Sequence, residues 1–185
     1  MLAIEDGAFS KMDTYCLLLG VVTTDDLIER FFVDRIRVDG KDAAHRIASF
    51  ARRIRRADLI MLPSISLGGF NVVNPYELHK ETRLPILIAN PMRPNVRGVR
   101  RALRRHFADW RERVHVFDLM GSPSVMRLTR EGQIYFHCVG LPRSKATRIL
   151  RSLVHFGKKP EPLRIARIVA RALSDSPSMK ALWSI

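Results

Sequence analysis

The apolar and polar positions along the chain change their period at about residue 40, and that change divides the sequence into two kinds of element. Before it, Leu2 to Glu5 is a short apolar segment and Tyr15 to Thr23 an apolar run without a helical break. Leu27 to Val38 alternates through Phe32, Asp34, Ile36 and Val38. Alternation with period two, interrupted by Gly7 and Asp25-Asp26, predicts three strands in an antiparallel meander. Beyond residue 40, Ala44, Ile47, Ala48, Ala51 and Ile54 fall on one face at helical spacing, which predicts an amphipathic helix over Ala43 to Arg56.

The same reasoning predicts strands at Leu59 to Leu62, Pro85 to Ala89, Val125 to Leu128 and Gln133 to Val139, and a further strand at Val114 to Phe117. Helices are predicted at Pro75 to Thr82, Pro94 to Phe107, Pro142 to His155 and Pro162 to Leu173. The first of these carries its own start signal: Asn74 as cap, Pro75 at the first position and Glu77 at the third. Antiparallel strands followed by β–α alternation predict an α/β domain with a mixed sheet and helices packed upon it. No internal repeat or low-complexity linker interrupts residues 1–173, which read as one domain. Residues 174–185 read as a surface tail in which Leu182, Trp183 and Ile185 are available to dock on the body or on a protein partner.

With 185 residues, 46% of them hydrophobic, the chain is long enough for one ordinary core and too apolar for wholesale disorder. Two cysteines build no disulfide framework, and both read as strand residues. The longest apolar run, Cys16 to Val22, is far short of the ~18 residues that span a bilayer. No signal peptide is visible, so the expectation is a soluble cytoplasmic domain without membrane partners.

Charge narrows the function. Lys and Arg number 32 against 18 Asp and Glu, for a net +14, and 25 of the 32 are Arg. A guanidinium grips phosphate with two parallel hydrogen bonds, so an Arg-rich surface points to a polyanionic partner, nucleic acid first. Asn and Gln together number five, and scarcity of these labile amides also fits adaptation to heat. The arginines gather in two clusters. Arg52, Arg53, Arg55 and Arg56 end the first helix. Arg97, Arg101, Arg104 and Arg105 share one face of a later helix, with Arg100 beside them. Solvated faces often look like this; the overall charge favours contact with a nucleic-acid backbone.

The candidate chemistry lies in acidic residues at strand ends. Glu5-Asp6-Gly7 closes the first strand, and Asp39-Gly40-Lys41-Asp42 closes the third and opens the first helix. Neighbouring strands would bring these carboxylates to one sheet edge, where oxygen ligands suit a hard cation such as Mg²⁺ and phosphodiester hydrolysis. The plainer alternative gives Asp39-Gly40 to a turn and Asp42 to a helix cap. Ser64 to Asn71 has no phosphate-binding ending, and its glycines suit a tight backbone course. The six histidines are scattered, without zinc spacing.

Several segments together resemble the archaeal endonuclease dU family, a relative of endonuclease V. The family's Asp-Asp-Gly-Pro-Phe opening appears as Glu5-Asp6-Gly7-Ala8-Phe9, and its Val-Asp-Gly-x-Asp-Ala-Thr segment as Val38-Asp39-Gly40-Lys41-Asp42-Ala43-Ala44. Gly69-Phe70-Asn71-Val72-Val73-Asn74, Leu84-Pro85-Ile86 and Pro160-Glu161-Pro162-Leu163-Arg164 follow in the family's order. The resemblance implies an RNase H-like fold. It also implies a Mg²⁺- or Mn²⁺-dependent endonuclease acting in repair of DNA, rather than RNA, with deaminated or altered bases. Carried over by position, Glu5, Asp6, Asp39 and Asp42 form the catalytic group, Glu5, Asp39 and Asp42 hold the metal, and Glu161 assists. Arg52, Arg53, Arg97, Arg101, Arg104 and Arg105 stand as nucleic-acid contacts.

The chain also departs from that pattern. Leu62-Pro63-Ser64-Ile65 stands where the family has Leu-Asp-Gly-Ile, so one expected carboxylate is replaced by Pro63. Glu5 stands for an Asp, one methylene longer, and Asn74 for another Asp. A chain so altered is either an active nuclease or a member that binds nucleic acid without cleaving it. An adaptor acting through its tail is the third reading.

Overall fold

A seven-stranded mixed sheet forms the centre of the structure, a computed structural model that describes residues 1–24, 27–128 and 132–176. The first three strands, β1 (Leu2–Asp6), β2 (Tyr15–Thr24) and β3 (Leu27–Arg37), form the antiparallel meander that their alternation predicts. Strand β4 (Ile60–Leu62) adds in parallel beside β1, with Leu2 opposite Ile60 and Ala3 opposite Met61. A two-residue hairpin of β5 (Ser66–Leu67) and β6 (Asn71–Val72) stands apart from the sheet. Strand β7 (Ile86–Asn90) continues in parallel on β4, and β9 (Gly132–Val139) and β8 (Ser124–Leu128) complete the far side as antiparallel strands. The order across the sheet is β3-β2-β1-β4-β7-β9-β8.

Both faces are covered, as the unbroken burial of β1 and β2 requires. On one face Leu2, Ile4, Leu18, Phe32 and Ile36 pack with Ile47 and Phe50 of helix α1 (Ala43–Arg52) and Leu78 of α2 (Pro75–Thr82). Phe32 and Phe50 stack at 5.2 Å between centroids. On the other face α5 (Arg143–Leu153) and α6 (Glu161–Asp175) cover the remaining strands. Leu17, Leu19 and Val21 meet Ala166 and Ala170 of α6, and Met61, Leu87 and Phe136 meet Leu150 of α5. Asn74 caps α2 as its sequence predicts, accepting from the N–H groups of Tyr76 at 3.0 Å and Glu77 at 3.5 Å.

Two expectations are corrected. Val114 to Phe117 is not a strand: it lies within helix α4 (Trp110–Met120), which follows α3 (Val96–His106). The run Val-His-Val-Phe has a strand's composition, but Val114 is buried while Val116, Phe117 and Met120 pack against the core, which is helical spacing. The helix expected to end near Leu173 runs on to Asp175. Ser174 is 5% exposed, and its hydroxyl accepts from the Ala8 N–H at 3.1 Å and donates to the Ala170 carbonyl at 2.7 Å. Leu182 and Trp183, expected to dock on the body or on a partner, lie outside the described residues. No helix among those described is long and apolar enough to cross a membrane.

Candidate nucleic-acid and strand-end site

Strand β1 ends at Glu5 and Asp6, and the pleat sends their side chains to opposite faces. Glu5 is buried, on the face that α6 covers, and its Oε2 lies 3.1 Å from Nζ of Lys159, just before α6 begins. Burial pushes the Glu5 carboxyl above its ordinary value, against the pull of Lys159, and burial likewise depresses the Lys159 ammonium. Asp6 accepts the Gly68 N–H at 2.7 Å; its carboxyl is also raised by burial, with that hydrogen bond opposing the rise.

Gly68 connects this strand end to the second acidic segment. Its carbonyl accepts the Asp39 N–H at 2.8 Å, and Asp39 Oδ1 accepts the Phe70 N–H at 2.7 Å. Asp39 turns the chain at φ 59°, and the Gly40 N–H closes the turn on the Arg37 carbonyl at 3.1 Å. Gly69, at φ 81°, faces that carboxylate so closely that a Cβ there would lie 2.3 Å from Asp39 Oδ1. The glycines of the hairpin thus admit two aspartates to backbone amides.

Asp42 sits at the cap position of α1, yet its side chain makes no capping bond, which corrects the cap reading. It turns back to accept the Arg37 N–H at 3.1 Å and the Asn71 Nδ2 at 2.7 Å. The cap comes from Asn71, fully buried, whose Oδ1 accepts the Ala43 N–H at 3.1 Å while its Nδ2 also donates to the Arg37 carbonyl at 3.0 Å. Glu161 opens α6 and binds Arg164 through both carboxylate oxygens, which holds its carboxyl below the usual range.

These placements test the fit of a divalent ion. The strand end brings Asp6 and Asp39 together through Gly68, and Asp39 and Asp42 through the hairpin; Glu5 faces the other side of the sheet. Among the described residues no three His, Cys, Asp or Glu side chains converge into a set able to hold a metal. Glu5 already faces an ammonium, and Asp6, Asp39 and Asp42 accept hydrogen bonds from N–H groups. Carried two residues further, the β1–β4 register sets Pro63 beside Glu5; its carbonyl accepts from Asn90 Nδ2 at 3.1 Å. The proposed metal group Glu5, Asp39 and Asp42 is therefore not assembled, and the residues as arranged do not fit a divalent ion.

The basic surface is built differently. In α3 only Leu103 is buried, and Arg97, Arg100, Arg101, Arg104 and Arg105 line one open cavity. Two of them have partners: Arg100 pairs with Asp118, and Arg104 lies over the Trp110 ring at 4.7 Å, with Arg111 at the same distance. Arg52 bonds Glu81 at 2.8 Å and Arg53 lies over Phe32 at 4.8 Å, so that cluster is partly committed inside the fold.

Sequence reasoning missed the residue joining the two regions. Arg113 of α4 is buried and donates to the Gly40 carbonyl at 3.1 Å, to the Phe70 carbonyl, and to Asp109 at 3.0 Å. It also lies over Phe107, whose ring meets Phe70 edge-on. Arg113 and Lys41 hold the Asp109 carboxyl down to about 2. Thus α4 is fastened to the Asp39–Gly40 turn and to the β5–β6 hairpin.

A family model described as endonuclease dU matches residues 1–174. The chain belongs to the endonuclease dU family. A protein called UPF0215 from Thermococcus gammatolerans is 36% identical, the match covering 97% of this chain and 94% of that one. The UPF0215 protein of Archaeoglobus fulgidus is 31% identical over 96% and 94%. Among solved structures, a protein of unknown function from Archaeoglobus fulgidus matches with a TM-score of 0.83 at 29% identity, over 95% of this chain and 98% of that one. Human endonuclease V matches with a TM-score of 0.58 at 12% identity, over 98% and 84%. Ciona intestinalis endonuclease V, solved with a 24mer DNA containing an inosine, gives 0.58 at 9%, over 98% and 86%. The fold is that of the endonuclease V group, RNase H-like, as the endonuclease dU resemblance implies. Family and fold together support a nuclease-like role.

Proposed function

We propose that this chain is an endonuclease V-like nucleic-acid-processing protein that engages DNA with deaminated or altered bases through the arginine-lined groove of α3. The observation that carries the reading is the convergence of five arginines on one open cavity of an exposed helix. Guanidinium groups at helical spacing match a line of phosphates, and a net +14 steers such a chain toward polyanions. The endonuclease V complex with inosine-containing DNA supports DNA as the polymer.

At the strand end, Lys159 beside Glu5 and Pro63 in place of a carboxylate favour recognition without metal-dependent cleavage. The family match favours a second reading, Mg²⁺- or Mn²⁺-dependent nicking; it requires Glu5, Asp6, Asp39 and Asp42 to leave the partners described above, with Glu161 assisting. Labelled duplexes carrying deoxyuridine or deoxyinosine, incubated with Mn²⁺ beside an Asp39→Asn control, separate the two. Tight, salt-sensitive binding without nicking supports the first reading. Nicking lost in the folded control establishes the second. Absence of both binding and nicking removes nucleic acid as the partner.

A further inference from the structure

Strand β3 is one edge of the sheet, eleven residues long. An edge strand offers a row of backbone donors and acceptors to any strand that fits it, and protecting devices normally blunt it. Here the device is partial. A bulge leaves Glu29 without an opposite residue on β2, since Val22 faces Arg30 and Thr23 faces Ile28. From Arg30 to Arg37 the pairing is regular. Helix α6 covers the neighbouring Leu17, Leu19 and Val21, but on β3 itself Ile28, Phe31 and Val33 remain 45%, 43% and 43% exposed.

The charges along that edge match themselves. Around a twofold axis normal to the sheet, two copies of β3 run antiparallel, and residues placed opposite must share a face, so their numbers sum to an even value. At a sum of 64, Phe31 faces Val33, Arg30 faces Asp34, and Phe32 faces its own copy. Each pair occurs twice except the central one, and Glu29 falls opposite Arg35. Moving the sum to 62 sets Arg30 against Phe32 and Glu29 against Val33. Moving it to 66 sets Phe31 against Arg35 and Phe32 against Asp34. Of these three registers, only the central one pairs apolar with apolar and cation with anion across the regular segment from Arg30 to Asp34.

The surrounding groups accept that register. Asp34 is half-buried; its Oδ1 accepts the Arg35 N–H at 2.8 Å, and its one ionic partner among the described residues is Arg46, at 3.3 Å. Arg30 and Arg53 both lie over the Phe32 ring, at 5.9 and 4.8 Å, and Arg35 lies over Tyr15 at 4.5 Å with no ionic partner among the described residues. Glu29 has no ionic partner among the described residues.

We infer that β3 is the interface of a symmetric dimer, in which a second copy of this chain pairs antiparallel about Phe32 and the two sheets become continuous. The inference stands apart from the nucleic-acid reading.

The full chain is weighed by light scattering after size exclusion across a range of concentrations, beside Val33→Lys and the Arg30→Asp and Asp34→Arg variants. The expected result is the mass of two chains for the wild type and of one for Val33→Lys, with unchanged far-ultraviolet circular dichroism. Each single charge change weakens the dimer, and combining the two restores it. Register is read by oxidising a mixture of Phe31→Cys and Val33→Cys chains carrying Cys138→Ser, which cross-links the mixture and neither chain alone. A wild type of one-chain mass at high concentration overturns the inference, as does a Val33→Lys chain that still dimerises.

Discussion

The ammonium of Lys159 lies 3.1 Å from the Glu5 carboxylate although 154 residues separate them, and both side chains are withdrawn from water. Such a pair carries a desolvation cost that its attraction only partly returns. Lys159→Met alone strands a buried carboxylate and is expected to lower stability by roughly 3 kcal/mol, whereas Lys159→Met with Glu5→Gln returns to about 1 kcal/mol of the wild type or better. Urea unfolding of the three chains checks this, and a double variant as weak as the single one would refute it.

The pH dependence has a definite sign. The folded chain holds the Glu5 proton more tightly than the unfolded one, so the stability from that group is complete below its ordinary 4.5 and is lost as pH rises through the folded value. Lys159, with its folded value lowered, contributes stability above its ordinary 10.5 that is lost as pH falls through the folded value. Thermal melts across pH should show a flatter profile above pH 4.5 in the double variant than in the wild type.

Arg113→Met leaves the Gly40 and Phe70 carbonyls without this donor and Asp109 with Lys41 alone, and is expected to cost roughly 3 kcal/mol. Arg113→Lys recovers little, because one ammonium cannot reproduce a fork that reaches three acceptors. Asp109 works in the opposite direction from Glu5. Its carboxyl is held down to about 2, so its contribution is present above 3.8 and fades as pH falls toward 2. Melts between pH 5 and 2 should show that loss, and Arg113→Met should diminish it.

For the arginine groove, the measurement is the slope of log affinity against log salt. Arg97→Ala, Arg101→Ala and Arg105→Ala should each reduce that slope by about 1 and weaken binding to all duplexes alike. Arg104→Ala should do more, since the same side chain stacks on Trp110. Slopes that stay constant in all four would place the contact elsewhere.

Asn71→Ala removes the cap of α1 and the bond to Asp42 together, with an expected cost of about 2 to 3 kcal/mol. Circular dichroism melts of the variant measure it directly.

The sequence carried the meander and most helices because these are written in local periodicity, as in the alternation around Phe32 and the face Ile47, Ala48, Ala51. Val114 to Phe117 misled because a four-residue run, three of it β-forming, is too short to reveal a period; α4 extends from Trp110 to Met120 around it. The acidic residues were legible as a strand-end group, and the turn at Asp39 with them. What was not legible were the partners. Lys159 belongs to Glu5, Asn71 to Ala43 and Arg113 to Gly40 only through contacts across 28 or more residues, and nothing in a lysine, an asparagine or an arginine announces its distant acceptor. Asp42 shows the limit from the other side: its position at a helix start is as expected, and its side chain serves a different segment.

The amide cradle around Asp39 and Asp42 has one more consequence. N–H groups from Arg37, Phe70 and Asn71 occupy oxygens of these carboxylates, so the loops that carry them are held together by hydrogen bonds within the chain. Chelators should leave the fold intact. Both aspartates thus have a use in the architecture of the turn that is independent of any hydrolysis.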